Sequence, residues 1–436
     1  MNTQAEKLAV GDVAVAGTAR LSDPLTLPGG QVLANRFMKA ALSEALADRE
    51  NNPSPGLVNL YRRWGRGGYG LIVTGTVMVD RDHLGEPANI VVEDERALDG
   101  LSRWADAARS GGSRLWMQIN HPGRNANALA TRTRPVAPSA IKLKVPGMTT
   151  PRALPHAEIE QIIDRYVTAA VIAEKAGFDG AQIHGAHGYL ISQFLSPLSN
   201  QRDDEWGGDL ERRMRFGLEI VRRVRSAVSK EFAVGIKLNS ADFQRGGFTP
   251  EESREVMSVL AREGLDLIEI SGGTYEAPAM MGGESNGKVK AASTLAREAY
   301  FLEYAEAARS LVGDVPLAVT GGFRSHAAMA DAVASDTCQV IGLGRPTCTT
   351  PAAPKEVLAS EHARLECAPV EIGLRRFFGR FADLKMLDGA IELQWYADQM
   401  HRLADSKQPD LDRQWWRTAG TMIRHNGIGA LRHKRG

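Results

Sequence analysis

The chain has 436 residues, 43% of them apolar and 24% charged, with a formal net charge of +1. That balance describes a globular protein and excludes the basic field of a nucleic-acid binder, while no apolar run approaches the roughly 20 residues that span a bilayer. Three cysteines, Cys338, Cys348 and Cys367, show no CxxC pairing, so neither a disulfide framework nor a cluster-binding set is expected; with no secretory leader apparent, the expected compartment is a reducing cytoplasm.

Along the chain, short apolar runs alternate with longer amphipathic ones. Strands are predicted at Arg36–Leu42, Leu71–Val79, Arg114–His121, Ala181–His184, Phe232–Leu238, Leu265–Ser271, Pro316–Thr320 and Gln339–Gly342. Each is apolar through most of its length, as parallel strands covered on both faces are. Between the first two lie a helical stretch, Leu57–Trp64, and Gly65-Arg-Gly-Gly-Tyr-Gly70. The latter fits GxGxxG, but it leads from a helix into a strand, the reverse of a dinucleotide fingerprint, and reads as a tight turn. The connection from Pro122 to Pro155, rich in Pro, Thr and Arg, is long enough to be a lid or another functional loop.

Further on, Pro155–Gly177 repeats Ile159, Ile162, Ile163, Tyr166, Val167, Ala170 and Val171 at helical spacing, and Asp209–Lys230 carries an inner stripe of Met214, Leu218, Val221 and Val224. Thr249-Pro-Glu-Glu252 has the form of a capping box with proline at the first helical position. This alternation predicts a (β/α)₈ TIM barrel over residues 1–350. Residues 351–436 are expected to form a helical extension that caps the barrel, contacts a second subunit in a homo-oligomer, or both. Its segment Asp388–Ser406 presents Ile391, Trp395, Tyr396 and Leu403 on one side, Trp415 and Trp416 follow, and Arg432–Gly436 reads as a solvated end.

The chemistry gathers at predicted strand ends. His184, His187 and Tyr189 fall within six positions after the fourth strand, with Gly185 and Gly188 leaving room beside the backbone. No carboxylate or thiol stands at ligand spacing from the two histidines, so no metal site is expected there. They read as paired hydrogen-bond donors, and Tyr189 as a general acid or a core tyrosine. Gln118, in Gln118-Ile-Asn-His-Pro-Gly-Arg124, offers an amide donor and acceptor to a flat heterocycle, or is a satisfied strand-end residue. Lys237 stands inside an apolar strand and must meet negative charge, from a structural carboxylate or from an anionic ligand. Thr320-Gly-Gly-Phe-Arg324 and Gly342-Leu-Gly-Arg-Pro346 follow the last two strands, where barrels commonly bind phosphate.

These segments, together with Asn35–Ser43, Gly70–Gly75, Asn200–Gly208 and Ser271–Tyr275, resemble the old yellow enzyme family of flavin-dependent ene-reductases over about residues 20 to 350. The resemblance implies a non-covalent FMN at the barrel mouth, with NADH or NADPH as electron donor and an electrophilic small-molecule alkene as substrate. It implies that Ala40, Ala41, Leu42 and Ser43 lie along the flavin. Gly75 and Gln118 would meet its pyrimidine ring and Lys237 its N1 and O2. Gly321, Gly322, Gly344 and Arg345 would hold the phosphate. His184 and His187 would grip the substrate oxygen, and Tyr189 would deliver a proton. The chain departs from the pattern with Lys237 where arginine is frequent and Ser43 where threonine or cysteine is, and it lacks the iron–sulfur cysteines of larger relatives. An amine dehydrogenase or demethylase on the same barrel, a non-catalytic flavin-binding protein, and a flavin-free aldolase with Lys237 as Schiff base are the alternatives.

Overall fold

The computed structural model describes residues 18–145, 148–273, 301–367 and 384–423. Among them, eight strands form one parallel cycle: β1 (Phe37–Lys39), β2 (Leu71–Met78), β3 (Arg114–Asn120), β4 (Gly180–Gly185), β5 (Ala233–Asn239), β6 (Leu267–Ser271), β7 (Leu317–Thr320) and β8 (Val340–Leu343). Each pairs with its neighbour in sequence, and β8 returns to β1 through Ile341 opposite Phe37, which closes the sheet. Helices follow the strands in turn: α1 (Pro55–Gly65), α2 (Leu98–Arg109), α3 (His156–Lys175), α4 (Leu210–Ala227), α5 (Pro250–Leu260), α6 (Leu302–Arg309), α7 (His326–Ala334) and α8 (Ala353–Ala359). This is the (β/α)₈ barrel that the alternation predicts. Thr249 and Glu252 cap α5 reciprocally, as their spacing implies.

Gly65 and Gly70 bracket the turn from α1 into β2. A Cβ on Gly65 would lie 2.2 Å from the Ala108 carbonyl oxygen, and one on Gly70 2.3 Å from that of Asn35. Close backbone approach explains these glycines, and the turn reading of Gly65–Gly70 holds.

Side chains alternate along each strand, so every second residue points into the cylinder. The inward layer at the N-terminal end is apolar: Met38, Leu71, Trp116, Leu267, Ala318 and Val340, closed from below by Leu27 and Leu33. Trp116 is the plug. Cβ atoms on Gly235 and Gly180 would sit 2.6 Å and 2.7 Å from its indole. With that end filled, a ligand can enter only at the C-terminal mouth.

The described residues of the connection after β3 form a wall. Val136–Ala137 pairs with Arg152–Ala153, and the Arg202 guanidinium donates to the carbonyl oxygens of Pro138 (2.9 Å) and Leu154 (2.6 Å). Asn200 donates to the carbonyl oxygens of Phe194 and Trp206, both at 2.8 Å. The Asn200–Gly208 segment is thus a clasp behind the site. Beyond the barrel, α9 (Leu384–Ala404) packs on α1 and on the turn after β8, burying Ile391, Trp395, Tyr396, Met400 and Leu403. Next comes α10 (Trp415–Ile423), where Trp416 stays 55% exposed. No helix among the described residues is long and apolar enough to cross a membrane. Thr274, Tyr275 and the Arg432–Gly436 end lie outside the described residues.

Candidate active site

Directly above the apolar plug, the inward positions turn polar. Gln118 Nε2 donates to Gln182 Oε1 at 2.7 Å, Gln182 Nε2 donates to Glu269 Oε2 at 2.8 Å, and Glu269 Oε1 lies 3.0 Å from Lys237 Nζ. The row crosses β3, β4, β6 and β5 and is almost wholly buried. A carboxylate only accepts, so Glu269 turns the Gln182 amide group toward itself, and Gln182 in turn orients Gln118. The row therefore ends on Gln118 Oε1, a buried acceptor without a hydrogen-bond partner among the described residues. The structural carboxylate proposed for Lys237 exists and is Glu269.

One layer higher stand His184 on β4, Asn239 on β5 and Ser271 on β6. Beyond the end of β4, His187 adopts φ +61°, a left-handed conformation that costs a non-glycine residue energy and is found at functional sites. Its N–H donates to Asn239 Oδ1 at 3.0 Å, and its Nε2 lies 2.7 Å from Ser271 Oγ. The His184 ring centroid lies 5.0 Å from that of His187 and 4.8 Å from that of Tyr189, both edge-on. The Ala186 N–H donates to His184 Nδ1 at 3.2 Å, which places the ring proton on Nε2. Burial first holds both imidazoles well below the usual histidine range; the charge of His187 and then that of Lys237 add to it for His184, and that of Lys237 for His187. Both are neutral at pH 7.

The segment after β1 lines the other side. Ala40 is buried, whereas Ala41, Leu42 and Ser43 are half-buried. Glu44 anchors the segment: its Oε1 accepts from Lys39 Nζ (3.3 Å), the Gly75 N–H (3.1 Å) and the Tyr61 hydroxyl. Gly75 sits at a bulge in β2, and a Cβ there would meet Glu44 Oε2 at 1.9 Å and Leu42 O at 2.3 Å. Its missing side chain lets this segment lie against β2. Ser43 Oγ donates to Glu86 Oε2 at 2.6 Å, and burial pushes the Glu86 carboxyl upward. After β7, Gly321 and Gly322 adopt φ +130° and +95°, backbone that only glycine takes readily. Gly344 and Arg345 follow β8, and Arg345 Nη1 donates to Glu392 Oε1 on α9 at 2.7 Å.

Sequence reasoning missed Gln182, Glu269, Lys39 and Glu44. Gln182 and Glu269 carried a usable signal, because each is polar within an apolar strand, at the inward parity of its neighbours. It also missed Asp80, His83 and His121 beyond the ends of β2 and β3, whose potential ligand atoms lie within 4.8 Å of one another. The Gly123 N–H donates to His121 Nδ1 at 3.1 Å, so the His121 proton is on Nε2, facing Asp80 Oδ2 at 3.7 Å, while Arg165 holds Asp80 Oδ1 at 2.8 Å. A protonated nitrogen and an adjacent guanidinium make this a carboxylate ringed by donors rather than a cation site.

The buried Gln118 acceptor, the nearby Lys237 cation and the glycine turns beside Arg345 fit the edges and phosphate of FMN. The sequence profile of the NADH:flavin oxidoreductase / NADH oxidase family matches residues 20–361. The chain is 37% identical over 361 residues to NADH-dependent flavin oxidoreductase iliE of Hypocrea jecorina, a match spanning 78% of this chain and 89% of that protein. It is 39% identical over 334 residues to NADH-dependent flavin oxidoreductase nadA of Aspergillus parasiticus, spanning 73% of each. Morphinone reductase superposes with a TM-score of 0.67 at 25% identity, over 81% of this chain and 92% of that one. The old yellow enzyme homologue of Zymomonas mobilis shares the fold with a TM-score of 0.68 at 24% identity, over 80% and 95% of the two chains. A closed cylinder carrying this donor set at its mouth, matched across residues 20–361, belongs to the old yellow enzyme family of NADH:flavin oxidoreductases, whose characteristic cofactor is FMN.

Proposed function

We propose that the chain reduces the C=C bond of alkenes activated by a carbonyl or nitro group, namely enones, enals and nitroalkenes, using NADH or NADPH. The observation that carries this reading is the pair of neutral imidazoles at the mouth, with Tyr189 edge-on to His184. FMN, bound non-covalently at this mouth, would supply hydride chemistry between the nicotinamide and the alkene β-carbon. Negative charge then grows on the activating oxygen. His184 Nε2–H is already set as a donor by its Nδ1 bond. His187 Nε2 pairs with the Ser271 hydroxyl; in the tautomer where Ser271 donates, His187 carries its proton on Nδ1 and offers a second N–H. Two donors held where charge develops stabilise the transition state. Tyr189 gives its phenolic proton to the α-carbon. Gln118, Gly75 and Lys237 would hold the pyrimidine side of the flavin, Ala40, Ala41, Leu42 and Ser43 would lie along its length, and Gly321, Gly322, Gly344 and Arg345 would hold its phosphate.

Stopped-flow separation of the two half-reactions tests the assignment. Tyr189→Phe should slow cyclohexenone reduction by ~10²- to 10⁴-fold, the usual worth of a positioned acid, and leave flavin bleaching by NADH nearly unchanged. Equal loss in both half-reactions would remove Tyr189 from the acid role. A wild-type protein that bleaches with NADH but transfers nothing to enones or nitroalkenes, while oxidising secondary or tertiary amines, would refute the alkene reading.

A further inference from the structure

The family match ends at residue 361, yet α9, at Leu384–Ala404, reaches two segments of the barrel mouth. Its Glu392 accepts the 2.7 Å hydrogen bond from Arg345 Nη1. Its His401 Nε2 lies 2.8 Å from the carbonyl oxygen of Glu44, the residue that anchors the segment after β1. Between these contacts the helix is fastened by buried Trp395, Tyr396 and Met400. Arg345 side-chain exposure is 25%, and Glu392 raises the guanidinium pKa against the pull of burial. Its Nε and Nη2 form no hydrogen bond among the described residues.

We infer that Glu392 is a positioning residue for the phosphate end of the flavin site: by holding Nη1, it fixes the Arg345 guanidinium so that the other donors are free for an anion. This rests on the FMN reading above. A guanidinium presents five N–H donors in a rigid fork, so it can serve a carboxylate on one edge and a phosphate on another. A free arginine would have to lose rotamer freedom when the phosphate arrives; one already tethered has lost it. The carboxylate also repels the phosphate. Glu392 is itself 28% exposed at the rim, where solvent and salt weaken that repulsion, whereas the geometric restraint is not screened. The C-terminal extension is therefore part of the cofactor site.

The test is retention of flavin by the full-length holoenzyme, followed as the rise in flavin fluorescence on dilution, with FMN and with riboflavin, which lacks the phosphate. Glu392→Ala should weaken FMN binding roughly three- to tenfold, the scale of ordering one long side chain, and leave riboflavin binding unchanged. Glu392→Gln keeps an acceptor of the same reach and should stay close to wild type. If Glu392→Ala does not fold, Glu392→Asp withdraws the carboxylate by one methylene and should weaken FMN alone. Tighter or unchanged FMN binding in Glu392→Ala would overturn the inference, as would equal weakening of both flavins. Wild-type protein that retains neither flavin would instead refute the FMN reading itself.

Discussion

At the scale of single residues, the fourth-strand motif was legible because it concentrates proton donors just after an apolar run, and its three members do come together. What the sequence could not disclose was which partner each side chain meets. Lys237 had to face negative charge, but Glu269 lies 32 positions away and reaches it only because β5 and β6 are neighbours in register, with Lys237 opposite Glu269. Gln182 stood unnoticed beside the two histidines for the same reason: its meaning appears when the cylinder brings Gln118 and Glu269 to either side. Breaking a buried pair by removing one charge costs about 3–5 kcal/mol, because the remaining ion is left without compensation. Glu269→Gln should therefore lose on the order of 3 kcal/mol in denaturant unfolding, and Glu269→Gln with Lys237→Met should recover most of it. A single variant as stable as wild type would mean that Lys237 is held by something other than Glu269.

At the scale of elements, the strands were readable because parallel strands are buried on both faces and leave continuous apolar runs. Helix starts were readable where caps are explicit, as at Thr249. The segment Ala40–Ser43 was harder. Resemblance placed it along the flavin, but its conformation depends on Glu44 reaching Lys39, Tyr61 and the Gly75 amide, three different elements that only folding assembles. Gly75 is the tightest joint. With a Cβ only 1.9 Å from Glu44 Oε2, Gly75→Ala must push this segment off β2. Overpacking of this kind costs about 1–3 kcal/mol, and purified Gly75→Ala should carry substantially less flavin per chain than wild type. A variant with wild-type melting temperature and full flavin content would show that the segment accommodates a side chain there.

At the scale of the whole molecule, the barrel follows from strand count and alternation, but the docking of α9 does not, since an amphipathic helix declares an apolar face without declaring what covers it. The barrel mouth adds a second global property. It holds several imidazoles in their neutral form, among them buried His184 and His121 and half-buried His187, and for His121 burial outweighs the pull of Asp80, leaving it at about 4. A histidine whose folded pKa is depressed binds its proton more readily in the unfolded chain. Its contribution is intact above the unfolded value near 6.5 and drains away as pH falls from there toward the folded value. Asp80, held far below the usual carboxylate range by His121 and His83 against the cost of burial, loses its own contribution only in more acid solution. The window from pH 7.5 to pH 5 therefore holds the histidines, alongside buried carboxyls such as Glu86 whose upward shift acts with the opposite sign, and only a variant lacking His121 isolates its share. His121 alone should account for roughly 2 kcal/mol of lost stability across it, readable as a fall in the urea midpoint. His121→Asn cannot titrate, so its stability should fall by that much less between the same two pH values. An equal fall in variant and wild type would mean that His121 accepts its proton without unfolding, and that its burial among Asp80, His83 and Arg165 is not what keeps it neutral.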